Sequence, residues 1–482
     1  MTMPPRKPPQ IAEVNIHRLT KKGYGSGTST DEKPKEVEVP FTLPGDKVRV
    51  RLMRKRGGVY SAILEEIISP SPLRITPRCI HFGSCGGCRF QHLPYHEQLN
   101  LKQENVEKLF QPLLPQNVSV KPILACEPPW QYRNKMEFSF SSDAAGRMFL
   151  GLIIDSSRGK VLNLTECHLV KPWFTEALHA VRSWWHESGL KAYHPHTNTG
   201  SLRTLILREG ISTGDRLAML TVSGNPDEAL NKQQIDSFTA FLRDAVEPQN
   251  PDCQLSVFLR IQQAIKGHET NFYEMQLYGP DHIREVLNIQ TDTQHESTSL
   301  AFGVSPSAFF QPNTKQAERL YSLALQMLEI PRHSVIYDLY CGTGTLGICA
   351  AKWAKLVVGI EISPESALDA RTNAKNNGLD NVHIMTGSVR EMIGKIRESN
   401  EYPLPDVVMV DPPRVGLDDD TIKHLVELKP KKILYISCNP ATQAENIKVL
   451  QGFGYQIQAI QPVDQFPHTV HVENIVVLCY VL

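Results

Sequence analysis

The sequence predicts a multidomain α/β protein in which a small amino-terminal β-barrel and an α+β middle region lead into an open sheet wound on both faces by helices. Three observations carry this. The 482 residues exceed what one core serves, since domains settle near roughly 100 to 200 residues, so two or three are expected. Short apolar runs broken by turn residues fill the first part of the chain. From Phe302 onward, strand-like runs alternate with helical stretches, a pattern that implies a parallel sheet covered on both faces. A hydrophobic content of 41% with 21% charged residues is ordinary for a folded globular chain.

Between residues 11 and 68, runs such as VEVPFTL, KVRVRLM and VYSAILEEII are separated by Gly, Pro and Asp turn signals, which reads as a small barrel. Residues 1 to 60 carry 13 Lys or Arg against 6 Asp or Glu, densest at Arg49, Arg51, Arg54, Lys55 and Arg56. That surplus fits either a polyanion-binding surface or a strand edge guarded by charge. SPSPLRITP, at residues 69 to 77, reads as a linker. A central domain is expected over 69–300, with a helix near Tyr95 to Phe110 and strand-like runs LRTLILRE and RLAMLTVSG; its fold is legible only as α+β. The carboxyl-terminal domain is expected over 301–482, with a helix at PNTKQAERLYSLALQMLEI and strands at Val335 to Leu339, Lys355 to Ile360, Val407 to Val410 and Lys432 to Ile436.

Several function classes are disfavoured. MTMPPRKPPQ contains no apolar leader, and no run approaches the roughly 18 apolar residues of a membrane span, so a cytoplasmic protein is expected. Ten cysteines in this length are not a disulfide framework, and clustered ones read as metal ligands or catalysts. Nothing in the sequence points to an obligate protein partner.

The run VIYDLY passes directly into CGTGTLG, placing Gly342 and Gly344 in a turn before a helix, where the backbone can approach a ligand closely. Glu361 ends the next strand 23 residues after Asp338, a position from which a carboxylate can hold ribose hydroxyls. A third strand ends in Asp411, Pro412 and Pro413 at the rim where such sheets bind ligands. A third phosphate-binding glycine and a P-loop lysine are missing. The pattern resembles the class I, Rossmann-like fold of S-adenosylmethionine methyltransferases, which implies that cosubstrate for this site.

KKILYIS delivers Cys438, followed by Asn439 and Pro440, to the same rim. A lone cysteine is more often a buried spacer, but a thiol here lies beside Asp411 and the expected methyl donor. Uracil C5 is a weak nucleophile; a thiolate added at C6 turns the ring into an enolate whose C5 attacks a sulfonium methyl. A base must then remove the C5 proton. Glu473 in HTVHVEN, 35 residues on, is the candidate.

VDPPR, ISCNP, HTVHVEN and FFQPN at Phe309 to Asn313 together resemble the RNA uracil-5-methyltransferase family, from YRNKMEF at Tyr132 to the carboxyl terminus. The resemblance implies a nucleophile at Cys438, a proton acceptor at Glu473, and cofactor or base contacts from Gln311, Tyr340, Glu361 and Asp411. Thr345 and Ser388 occupy cofactor positions where many members have Asn, and Asp or Asn, respectively. Two other readings are a noncatalytic RNA-binding protein on this scaffold and a methyltransferase acting on another target such as cytosine.

Cys79, Cys85 and Cys88 are separated by five and then two residues, with glycines at 83, 86 and 87; Cys167 is the best fourth thiolate. Four thiolates hold zinc or an iron-sulfur cluster equally well by count, while three close cysteines and one remote lean towards iron-sulfur. The spacing also resembles the 4Fe-4S members of the same family. The amino-terminal barrel resembles the TRAM domain, an OB-like RNA-binding module. TRAM module, cysteine cluster and methyltransferase domain together look most like the large-subunit ribosomal RNA members, with transfer RNA the alternative substrate.

Overall fold

The computed structural model describes residues 10–157, 159–264, 267, 269–290, 297–399 and 401–481. Residues 1–9, most of the stretch read above for a leader, lie outside that set. Two compact units emerge. One comprises Met1–Lys102, Ile153–Leu162 and Phe466–Val470, the other Gln103–Leu152, Asn163–Gln465 and His471–Leu482. Two short segments distant in sequence thus complete the first unit, which a linear division at 68 and 300 does not anticipate. Among the described residues no helix is long and apolar enough to cross a membrane.

In the first unit, β1 (Gln10–Leu19), β2 (Gly25–Ser29), β3 (Glu36–Val39), β4 (Lys47–Arg56) and β5 (Val59–Ser69) close into a barrel in the order β1-β2-β3-β5-β4. Side chains alternate across a strand. Val14 and Ile16 of β1 and Val48, Val50 and Leu52 of β4 therefore fill the barrel while their neighbours face outward. The helix expected at Tyr95 to Phe110 is present with those bounds as α1.

The second unit begins with a six-stranded sheet of β6 (Lys135–Ser142), β7 (Met148–Gly151), β8 (Leu202–Glu209), β9 (Arg216–Ser223), β10 (Leu255–Gln263) and β11 (Asn271–Tyr278), in the order β11-β10-β9-β8-β6-β7. Helices α2 (Trp173–Ser188) and α3 (Lys232–Val246) accompany it, Trp185 of α2 meeting Phe140 of β6 edge-on at 5.0 Å. A hairpin of β12 (Ile283–Gln290) and β13 (Ser297–Val304) leads through residues 305–313 into α4 (Thr314–Leu328).

A seven-stranded sheet follows, with α5 (Thr345–Ala350), α6 (Pro364–Asn376), α7 (Val389–Ser399), α8 (Asp419–Leu428) and α9 (Pro440–Gly452) between its strands. The strands are β14 (Ser334–Leu339), β15 (Ala354–Glu361), β16 (Val382–Thr386), β17 (Val407–Val410), β18 (Lys432–Ser437), β19 (Tyr455–Val463) and β20 (Glu473–Tyr480), in the order β16-β15-β14-β17-β18-β20-β19. The chain switches sides at β14, leaving a crevice at the carboxyl ends of β14 and β17, where open α/β sheets bind ligands.

Burial on both faces explains the continuous apolar strands. Ile336, Leu434 and Ile436 join the core beneath α4, whereas Tyr337, Val358 and Tyr435 join the opposite core with Met392, Ile422 and Ile447 from α7, α8 and α9. One expectation needs correcting. The sheet is parallel only from β14 to β18; β20 runs antiparallel to both β18 and β19. Its amino end therefore lies at the rim reached by the carboxyl ends of the parallel strands.

Ile436 is fully buried in the central strand β18. Ile436→Ala is expected to destabilise the protein by about 2–5 kcal/mol, read as a lowered denaturation midpoint. A change under about 0.5 kcal/mol, the level of an ordinary surface site, would contradict this packing.

Candidate active site

The glycine turn after β14 adopts conformations that side chains resist. Tyr340, Gly342 and Gly344 all have positive φ, at 66°, 55° and 78°. A β-carbon on Gly344 would sit 3.0 Å from Ala370 Cβ and 3.2 Å from Ile348 Cδ1, so that position must be glycine for packing. A β-carbon on Gly342 would meet no heavy atom within 4 Å. The open side of the turn thus faces a cavity lined by Phe309, Gln311, Tyr321, Asp338, Tyr340, Gly342, Thr345 and Asp411 among others.

Four of the eight residues expected to bind cosubstrate stand in that wall beside Gly342: Gln311, Tyr340, Thr345 and Asp411. Gly344 caps α5 in the same turn. Glu361, at the end of β15, accepts the Gly342 N–H at 2.9 Å and the Ser363 N–H at 2.7 Å, so its carboxylate is tied to the turn. Ser388 is placed differently. Its hydroxyl accepts the Glu391 N–H at 3.2 Å at the start of α7, a helix-capping role that the sequence reading did not consider.

Cys438 lies just past the end of β18 and is half-buried. Ser437 pairs with Asn474 across the β18–β20 ladder. Continuing this antiparallel register one step sets Cys438 opposite Glu473, where backbones approach to about 5 Å and facing side chains share one side of the sheet. Burial pushes the Cys438 thiol up to about 11, and the charges of Glu473 and Asp411 push the same way, while Arg414 hydrogen-bonds it and favours the thiolate. Arg414 is held beside the thiol. Asn439 Nδ2 donates to the Arg414 carbonyl at 2.9 Å and Thr442 Oγ1 donates to it at 3.3 Å, so SCNP and DPPR form one clamped corner.

The carboxyls are unusually crowded. Asp338 is buried and raised to about 7 by desolvation, although the Gly347 N–H donates to it at 2.8 Å. Burial raises Asp411 to about 7 as well. Glu473 is raised well above the usual carboxylate range, first by burial and then by Asp411, with Arg414 opposing. Its Oε2 is buried without a hydrogen-bond partner among the described residues, which leaves that oxygen available to accept a proton. Buried carboxylates cost much free energy when ionised, and Arg414 offsets part of that cost at Glu473. Of these neighbours, Arg414, Asp338 and Tyr321 were not singled out from the sequence; Arg414 stood inside the quoted VDPPR motif.

His468, the first residue of HTVHVEN, belongs to the first unit, where Gln98 Oε1 accepts its backbone N–H at 3.0 Å. Cys79, Cys85 and Cys88 share one loop of the first unit, and Cys167 lies in the second. Burial raises the Cys85 thiol, and Cys79 adds to the shift. Among the described residues, no group of three or more His, Cys, Asp or Glu side chains is arranged to hold a metal ion. In the barrel, Lys47 pairs with Glu13 at 2.9 Å and Arg51 with Glu65 at 2.8 Å, while Arg49 pairs with Glu66. Part of the basic surplus is thus neutralised across strands, while Arg54, Lys55 and Arg56 cluster at the β4–β5 turn.

A family profile described as tRNA (Uracil-5-)-methyltransferase matches residues 274–481, and one described as tRNA (uracil(54)-C(5))-methyltransferase, TRAM domain, matches residues 12–73. An uncharacterised RNA methyltransferase of Protochlamydia amoebophila is 56% identical over 92% of this chain and 99% of its own. Another, from Chlamydia trachomatis, is 35% identical over 83% and 97%. Among solved structures, Pyrococcus abyssi tRNA (uracil-54, C5)-methyltransferase, crystallised with S-adenosyl-L-homocysteine, superposes with a TM-score of 0.72 at 25% identity, covering 97% of this chain and 99% of its own.

The thiol chemistry gives a direct check. Alkylation of Cys438, followed by mass spectrometry of its peptide, should accelerate about tenfold per pH unit from pH 7 upward without levelling below pH 9, because the thiolate is the reactive form. Arg414→Gln should slow it further at each pH. A plateau below pH 8 would show that the thiolate is already formed near neutrality.

Proposed function

The chain belongs to the RNA uracil-5-methyltransferase family with a TRAM domain, and from this premise we propose that Cys438 and Glu473 carry out the methylation of uridine C5 in RNA by way of a covalent Cys438–C6 adduct. The observation that carries the proposal is the ladder register, which continued one step beyond Ser437 and Asn474 faces Cys438 with Glu473 at one rim. S-adenosylmethionine fits the glycine-turn cavity, and when bound it supplies an electrophilic methyl and leaves as the neutral thioether.

The residues divide the work. Cys438 releases its proton to solvent with Arg414 stabilising the thiolate, and its sulfur bonds to C6 while the C5–C6 π pair moves into the enolate at O4. Once C5 carries the methyl, it still holds its proton. Glu473, strengthened as a base by burial, takes that proton; the C5–C6 double bond re-forms, the C6–S bond breaks, and the sulfur departs as thiolate. A uridine stacked in folded RNA hides C5 and C6, so the base must leave its stack. The basic turn of the barrel, Arg54, Lys55 and Arg56, supports backbone contact there.

Cys438→Ala is expected to abolish methylation while RNA binding persists. Glu473→Gln is expected to stall after methyl transfer and leave a denaturant-resistant protein–RNA adduct. Unchanged turnover in the first would discard the covalent route, and free product release by the second would assign the base elsewhere.

For substrate we keep large-subunit ribosomal RNA as the first reading, on the likeness of the domain combination. A second reading, a transfer RNA uridine, is supported by the Pyrococcus abyssi likeness, which spans nearly the whole of both chains. Mapping 5-methyluridine in ribosomal and transfer RNA from cells with and without the gene separates them: loss from large-subunit RNA supports the first and loss from transfer RNA alone replaces it.

The sequence spacing of Cys79, Cys85 and Cys88 also supports a 4Fe-4S cluster. Protein purified without oxygen is expected to be brown, with iron and acid-labile sulfide; stoichiometric zinc with neither would reverse that preference.

A further inference from the structure

We infer that Gln465 is a positioning residue that fixes the side-chain amide of Gln311 with its NH2 group turned to the cavity, as a donor to an acceptor oxygen of the ligand. The inference rests on the active-site reading above and deepens it. Gln465 is fully buried immediately after β19, and Gln311 lines the cavity.

The orientation follows from hydrogen-bond valence. Gln465 Nε2 lies 3.3 Å from the Asn313 backbone carbonyl oxygen, which can only accept, so the Gln465 atom there must be the donating nitrogen. The same nitrogen lies 3.3 Å from Gln311 Oε1. Its second N–H therefore requires an acceptor, which fixes the Gln311 oxygen inward and leaves Nε2 with no hydrogen-bond partner among the described residues. The backbone is equally constrained. Asn134 Nδ2 donates to the Gln311 carbonyl at 2.8 Å and Asn313 Nδ2 donates to the Gln465 carbonyl at 3.1 Å. Once these are in place, amide rotation of Gln311 is the freedom that remains, and Gln465 removes it.

Stability alone does not account for an amide at 465. Its Oε1 is buried with no hydrogen-bond partner among the described residues. Such an orphan costs about 1–3 kcal/mol, which an apolar side chain of equal length avoids. The acceptor that Gln311 meets belongs to one of two oxygen classes, the carboxylate of the methyl donor or a ring carbonyl of the target uracil. Cytosine presents an amino donor where uracil presents O4, so a fixed donor facing that edge would also favour uracil.

The test is a double-mutant cycle of Gln465→Met and Gln311→Met, read in two arms: S-adenosylhomocysteine affinity by calorimetry without RNA, and KM for uridine-containing against cytidine-containing RNA. Gln465→Met should weaken one arm roughly two- to tenfold, the worth of one hydrogen bond, and should add nothing in the Gln311→Met background. Loss in the calorimetric arm assigns the acceptor to the methyl donor, and loss in the RNA arm assigns it to the base. No loss in either arm, or the same loss in both backgrounds, overturns the inference. If Gln465→Met folds, methylates and binds as the wild type, the positioning role falls and the proposed function stands; adduct formation at Cys438 tests that function separately.

Discussion

The antiparallel docking of β20 against β18 is the constraint on which the site depends. Parallel strands deliver their last residues to one rim, which is how Asp338, Asp411 and Cys438 come to share it. A parallel β20 would have carried Glu473 to the far edge, more than 15 Å away for a strand of six or more residues. Reversing this strand brings its first residue to the rim instead. The reversal is well secured: Gln443 on α9 donates to the carbonyls of Tyr435 and Asn474 at 2.8 and 3.1 Å, and Asn474 Nδ2 donates back to Gln443 Oε1 at 2.8 Å. A slip of one residue would turn Glu473 to the other face of the sheet.

Electrostatic strain follows from that geometry. Buried Asp338 and Glu473, Asp411 and the Cys438 thiol are each pushed towards the protonated form, and Arg414 opposes this at Glu473 and Cys438. A protein selected only for stability would not gather them, since buried charge is costly unless paired. For proton transfer the arrangement has use. A carboxylate that is hard to ionise is a stronger base once ionised, and a thiol that rests protonated is spared reaction with solutes until an electrophilic ring arrives beside Arg414.

Much of this was legible locally and some of it was not. The strands carrying Asp411 and Cys438 stood out because apolar runs of four to six residues ended at Pro-containing turns. The glycine turn was visible for a similar reason, because its backbone needs small residues in place. Two strands of the same sheet escaped notice as strands, the short β16 and the polar-spaced β19, while the direction of β20 depends on a partner rather than on its own residues. Ser388 matched a cofactor position in sequence, yet its hydroxyl caps α7. Contacts such as Gln465 with Gln311, 154 residues apart, leave no mark in any local pattern. The split of the first unit among three chain segments was hidden for the same reason.

The central claim is that one sulfur, set opposite one carboxylate, bonds to the target ring. Its most direct test uses substrate RNA in which 5-fluorouridine replaces uridine, because fluorine at C5 cannot be removed as a proton. Wild-type protein incubated with this RNA and the methyl donor should yield a covalent complex whose digestion gives the Cys438 peptide bearing a methylated fluoropyrimidine nucleotide. A complex absent under conditions that methylate ordinary RNA, or one attached at any other residue, would contradict the account.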